Sequence, residues 1–219
     1  MFMRARSRGL LALCWLALVL GALPAAAQQL RRDVDYRLIS PQPVASGERV
    51  EVIDFFFYGC PYCSELAPLL ERWLKRKPTD VEFRRVPVVR HDSWVPLAKT
   101  YYTLEALGAA ERLHTAVYHD QHVEALVLSQ ENVIVEWAAK HGFDRDAFMS
   151  IYRSDAIREK IDRARKMTID YEIKATPSVV VDGRFLASSG MTDGVPQLIP
   201  VLDGLISLAR QQRLEKSSR

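Results

Sequence analysis

The stretch RVEVIDFFFYGCPYCSELAPLLERWLKRK, residues 49–77, decides the fold. Its first part, Arg49 to Tyr58, is β-branched and aromatic, and from Val52 onward it is apolar on both faces. That pattern predicts a central strand covered on both sides. Gly59 breaks it. After Cys60 the period changes, and Leu66, Leu69, Leu70, Trp73 and Leu74 fall on one helical stripe. Pro61 suits the first turn of that helix, where its missing N–H is not needed. Pro68 predicts a kink, and Lys77-Pro78 predicts the end. A cysteine pair, Cys60 and Cys63, therefore lies where a buried strand turns into a helix.

That position carries chemistry. A helix N-terminus offers unpaired N–H groups and the positive end of the dipole, and both favour a thiolate over a thiol. The dipole contributes up to ~2 kcal/mol, and each ~1.4 kcal/mol lowers a pKa by about one unit. Low pKa makes Cys60 a good leaving group and an available nucleophile near neutral pH. Cys63, about one turn on, can attack a mixed disulfide formed at Cys60. The alternatives are weaker. A zinc site requires four ligands and no second C-x-x-C exists; His119 and His122 have a shorter gap than zinc-finger histidines. A four-residue disulfide loop adds roughly 2 kcal/mol at most to stability, the low end of the range.

Outward from this core, Gln28 to Glu48 reads as an irregular lead-in, and Val81 to Val89 as a second strand. From Asp92 to about Thr168 the pattern is wholly helical. Helices are expected over Pro96–Leu107 and from Ala109 to about His122. Ser129, Asp144 and Ser154 are expected to cap three more, the last running to about Met167. Ser178–Val181 and Arg184–Ala187 then read as a hairpin turning at Asp182-Gly183. Asp193 is expected to open a closing amphipathic helix that Pro200 can kink. The order is that of a small α/β core interrupted by an all-helical insertion.

The chain has 219 residues, 48% hydrophobic and 26% charged, which excludes disorder or a coiled coil as the whole answer. Residues 1–27 read as a cleaved secretory signal peptide: Arg4, Arg6 and Arg8, an apolar run from Gly9 to Leu23, then Ala25-Ala26-Ala27. The run is shorter than the roughly 20 residues needed to span a membrane. Leu13 before Cys14 speaks against lipid attachment. Of the 30 Lys+Arg that set the net charge of +3 against 27 Asp+Glu, three lie in this segment, and without them the balance is zero. Nucleic-acid binding built on bulk positive charge is therefore not expected. Of 3 cysteines, only Cys60 and Cys63 follow residue 27.

Asp54 lies six residues before Cys60 in a strand that reads as buried. Its pKa should rise there. Two roles stay open: a buried acid or base handling the proton of Cys63, and a salt bridge to Arg84 or Arg85 on the neighbouring strand. Thr176-Pro177, just before the hairpin, is cis or trans as far as the residues go, since only about 5–6% of X–Pro bonds are cis. Phe57, Tyr58, Trp94, Tyr101 and Tyr102 fit a core, or an apolar docking surface near the site. His91 and Asp92 stand at the junction of the core with the helical block.

The run FFFYGCPYCSELAP, the helical block, ATPSVVVDGRF and the closing helix together resemble the DsbA family of periplasmic thiol:disulfide oxidases, within the thioredoxin-like superfamily. The resemblance covers nearly all of the chain after residue 27. It implies an α/β, thioredoxin-like fold with an inserted all-helical domain. Residues 28–91 with 169–219 would form the thioredoxin-like domain and 92–168 the insertion. It further implies that Cys60 is the exposed attacking cysteine and Cys63 its buried partner, with Pro61, Tyr62 and Asp54 tuning them. Pro177 would be a cis-proline facing the disulfide, and Thr176 would bind an extended substrate chain. The family works with no cofactor or metal beyond the Cys60–Cys63 disulfide. Its implied substrates are reduced exported proteins, its implied reoxidant a quinone-linked membrane protein similar to DsbB, its implied location the periplasm and its implied state a monomer. One departure stands out. Family members typically carry Pro-His between the cysteines, and this chain carries Pro61-Tyr62, the glutaredoxin dipeptide. Tyrosine adds no positive charge beside the thiolate, so a weaker oxidant is expected.

Two further functions compete. A disulfide reductase or isomerase would use the same cysteines, although the 21 residues from Gln28 to Glu48 are too few for the dimerisation domain of well-known isomerases. A substrate-holding or assembly module without turnover would not need the intact pair. A kappa-class glutathione transferase shares the architecture but does not use C-x-x-C.

Overall fold

A computed structural model describes residues 30–218, so the expected signal segment at 1–27 lies outside the described residues. Strand β2 (Val50–Phe56) is buried along its whole length, as a centre strand covered on both faces must be. It pairs in parallel with β3 (Val81–Pro87), with Asp54 opposite Arg85. On its other side it runs antiparallel to β4 (Ser178–Val181), which pairs with β5 (Phe185–Ser188). The hairpin turn uses Asp182 at φ 53° and Gly183 at φ 65°, the left-handed conformation that Asp-Gly tolerates. An edge strand β1 (Arg37–Leu38) completes the order β1-β5-β4-β2-β3. This edge strand was not expected. Two residues carry no periodic signal; the strand is held by Tyr36 packing on Phe185 and by Arg37 paired with Glu172 at 2.6 Å.

Period-two alternation sends the sheet residues into two cores. Val50, Val52, Val179, Val181 and Phe185 meet helix α1 (Pro61–Arg76) and the closing helix α7 (Leu198–Ser217). Ile53, Phe55, Val180 and Leu186 meet the helical block instead. That block comprises α2 (Val95–Ala106), α3 (Ala110–His122), α4 (Glu131–Lys140), α5 (Arg145–Tyr152) and α6 (Asp155–Asp170). Asp144 and Ser154 cap α5 and α6 as expected, accepting from the N–H groups of Ala147 and Ile157. Ser129 does not cap α4. Leu128 is fully buried and its N–H is held by Gln121 Oε1, and the turn that follows makes Gln130 the N-cap residue. Asp193 does not open the last helix: Gly194 and a 3-10 turn over Val195–Gln197 intervene. Pro200 then falls in the first turn of α7, where no N–H is missed. Pro61 occupies the first position of α1, Pro68 lies inside it, and Lys77 closes it.

Leu202 of α7 is fully buried against the sheet. Leu202→Ala is expected to cost about 2–5 kcal/mol. Urea unfolding should show a lower midpoint with an unchanged slope.

Candidate active site

The β2–α1 connection is shaped by its glycine. A Cβ at Gly59 would lie 2.5 Å from the Phe57 ring, so a larger residue there would push that ring out of its place against Trp94. The Cys60 N–H then donates to the Phe57 carbonyl at 3.0 Å, and Cys60 becomes the N-cap residue of α1. That places its sulfur at the positive end of the helix, beside the N–H groups of Tyr62 and Cys63.

The two cysteines, both free thiols here, differ sharply. Cys60 is half-buried and Cys63 is 2% exposed. The Cys60 thiol is pulled down to about 5, chiefly by a hydrogen bond from Cys63; burial opposes this, while Thr176 and the N–H groups of Cys63 and Tyr62 add to it. Cys63 is pushed well above the usual thiol range, first by burial, then by the hydrogen bond it gives Cys60 and the charge there. One sulfur is thus poised as a thiolate and the other as the proton-bearing donor beside it.

Thr176 and Pro177 close the site from the opposite side, and their peptide bond is cis. Cys60 Sγ–H donates to the Thr176 carbonyl at 3.3 Å in the thiol form, while the Thr176 hydroxyl stabilises the thiolate. Ser178 pins the loop by donating to the Ala175 carbonyl at 2.8 Å. Tyr62 is 62% exposed and projects away from the pair. With Glu65 it lines a groove of about 410 Å³ whose far wall is formed by Ser189, Gly190 and Gly194–Pro196.

Asp54 lies on β2 opposite Arg85. It is buried, and it lies 3.8 Å from Arg85 Nε, a loose ion pair, while its Oδ1 has no partner. Burial lifts its carboxyl to about 7, with Arg85 opposing and Glu111 assisting. Arg84 pairs with Glu51 instead, at 3.1 Å. Arg85 also bonds to Glu111 of α3, so one buried guanidinium joins Asp54 to the helical block.

The aromatic set divides. Tyr58, Tyr101 and Tyr102 are core. Phe57 and Trp94 are half-buried and stacked, with centroids 4.0 Å and planes 6° apart, at the edge of the site. His91 meets Trp94 edge-on, and Asp92 pairs with Arg165 of α6. His119 and His122 turn to different partners, Asp120 at 2.9 Å and the Tyr58 carbonyl at 2.7 Å. Sequence reading missed two contacts beside the cysteines: this His122 bond, and a 3.0 Å hydrogen bond between Tyr58 Oη and the buried His114 ring. A histidine among apolar helix positions is ordinarily core, so only the fold could reveal which atoms the two rings meet.

Comparison with known proteins points one way. The family model of the DSBA-like thioredoxin domain matches residues 88–198, a span that begins after the cysteine pair and includes the cis-proline. The thiol:disulfide interchange protein DsbA of Burkholderia cepacia is 35% identical over 176 residues, covering 80% of this chain and 83% of that one. Its counterpart in Azotobacter vinelandii is 34% identical, covering 77% and 78%. The crystal structure of Pseudomonas aeruginosa DsbA superposes with a TM-score of 0.79 at 29% identity, over 84% of this chain and 96% of that one.

Proposed function

The chain belongs to the DsbA family of thiol:disulfide interchange proteins and is a thiol:disulfide oxidoreductase with a thioredoxin-like fold, and on that premise we propose that Cys60 and Cys63 are the pair through which it introduces disulfides into exported proteins. The observation that carries this is the asymmetry of the two thiols: a half-buried Cys60 pulled down to about 5 beside a buried Cys63 pushed up. A disulfide whose reduction yields a stabilised thiolate gives up its oxidising equivalents readily.

The steps follow from which sulfur is reachable. A substrate thiolate attacks the exposed Cys60 sulfur, the Cys60–Cys63 bond breaks, and Cys63 leaves, taking up a proton. Asp54, titrating near neutrality beneath α1, is the buried group suited to supply that proton. A second substrate thiolate then attacks the mixed disulfide, and Cys60 leaves as a thiolate. The substrate chain would run along the groove beside Tyr62, hydrogen-bonded to the backbone at Thr176 and Pro177. Two electrons pass from the substrate to the cysteine pair, and no other cofactor enters. Reoxidation would fall to a quinone-linked membrane protein similar to DsbB. Removal of residues 1–27 would deliver a monomer to the periplasm, with residues 28–91 and 169–219 as catalytic domain and 92–168 as the insertion.

Equilibration in glutathione buffers tests the direction of exchange. A potential far above the glutathione couple is expected; a value below it, toward the thioredoxin end of the range, would make the chain a reductase. Tyr62 adds no charge, so the potential should fall below that of Pro-His members measured alongside.

A further inference from the structure

The helical block brings a protonatable ring to the redox loop. His122 stands in the last turn of α3, half-buried, and its Nε2–H donates to the Tyr58 carbonyl across 2.7 Å. Tyr58 is two residues before Cys60, so their Cα atoms are at most ~7.6 Å apart. The His122 ring also stacks on Tyr118, with centroids 6.2 Å and planes 24° apart. Tyr118 in turn lies close enough to Cys63 and Cys60 for charge on either sulfur to oppose its ionisation. With Nε2 committed to the carbonyl, Nδ1 is where a second proton adds.

We propose that His122 is a positioning residue of the redox site, whose imidazolium couples to the Cys60 thiolate so that reduction of the disulfide draws a proton onto His122 as well as onto Cys63. The inference rests on Cys60–Cys63 being the redox pair. Two electrons from a substrate dithiol break the disulfide, leaving Cys60 as thiolate and Cys63 as thiol with one proton taken up. The new charge at Cys60 raises the proton affinity of His122. Between the His122 pKa values of the two redox states, a further fraction of a proton enters from solvent.

The other ionisable groups around the ring are accounted for. On α3, burial holds His114 neutral, His119 is paired with Asp120, and Glu111 is engaged by Arg85. On α1, Glu71 accepts from the Thr115 hydroxyl. Burial keeps Tyr58 and Tyr118 protonated. Asp54 on β2 faces Arg85 on β3, and Glu124 stands exposed after α3. Burial also pushes the Asp54 carboxyl up, to about 7, so the measurement must be specific to His122.

The His122 ring protons should therefore be followed by NMR against pH in the oxidised and the reduced protein. The reduced form is expected to give the higher His122 pKa, by about half a unit or more. Coupling is reciprocal, so thiolate absorbance should show the Cys60 pKa raised by a similar amount in both H122Q and H122F. Glutamine keeps an N–H donor for the Tyr58 carbonyl and loses only the charge. A wild-type Cys60 pKa in H122Q with a shifted one in H122F would reduce the role to a hydrogen bond and overturn the proposal. Identical His122 titrations in the two redox states, with the low-pH Cys60 thiolate intact, would overturn it while leaving the redox pair standing. Absence of that thiolate in the wild type would overturn both.

Discussion

Cys60→Ser is expected to abolish exchange, slowing oxidation of a model dithiol peptide by on the order of 10³-fold or more. The remaining thiol cannot substitute for the missing one. Cys63 is 2% exposed and its pKa is pushed up by burial, so it is neither reachable nor ionised at neutral pH. Cys63→Ser should behave differently. It keeps the half-buried thiolate, which still attacks a disulfide offered to it, but it has no neighbouring sulfur to resolve the product. Mixed disulfides with substrate should accumulate and be seen as higher-mass bands that vanish on reduction. Equal behaviour of the two variants would sink the assignment of roles, and a Cys60→Ser protein retaining a tenth of the wild-type rate would sink the assignment of the site.

How much of this was legible beforehand follows from how local each determinant is. The strand–C-P-x-C–helix junction is a short-range signal, since Pro61, the glycine break and the apolar stripe of α1 all act within about 20 residues of Cys60. It was read correctly, together with the burial of Asp54. The caps at Asp144 and Ser154 were legible for the same reason, while Ser129 failed because a tertiary demand, the burial of Leu128, outweighed its capping tendency. The edge strand at Arg37–Leu38 exists only because β5 is there to pair with it. The choice of Arg85 over Arg84 as the partner of Asp54 is a matter of register. Asp54 lies opposite Arg85 in the β2–β3 ladder, and period two turns Arg84 to the other face, where Glu51 meets it. His122 was least legible. Its meaning depends on α3 packing against the β2–α1 turn, 64 residues away along the chain, and no spacing in the sequence encodes which atom the ring meets.

The reduced protein is expected to gain stability over the oxidised protein as pH rises from about 5 to about 9. The sign follows from proton counts. Cys60 is pulled down to about 5 when folded, against an ordinary thiol value of 9.0. Between those limits the unfolded chain binds a proton there that the folded chain does not, so stability increases with pH. The contribution is complete above the unfolded value and gone below the folded one. Asp54 has the opposite sign, because its folded pKa of about 7 lies above 3.8. It is present in both redox forms, so taking the difference largely removes it. Cys63, raised in the folded state, opposes the trend only above pH 9. Allowing a factor of two for the partial exposure of Cys60, the difference should grow by about 2–3 kcal/mol across the window. Denaturant unfolding of both forms at pH 5, 7 and 9, without oxygen, measures it. A difference that is flat, or that shrinks with pH, would mean that Cys60 is no stabilised thiolate. The same number sets the chemistry, because each ~1.4 kcal/mol by which folding favours the dithiol raises the potential by about 30 mV. The fold thus makes the disulfide easy to give away by favouring the thiolate left behind, and both effects should weaken together as the pH falls toward 5.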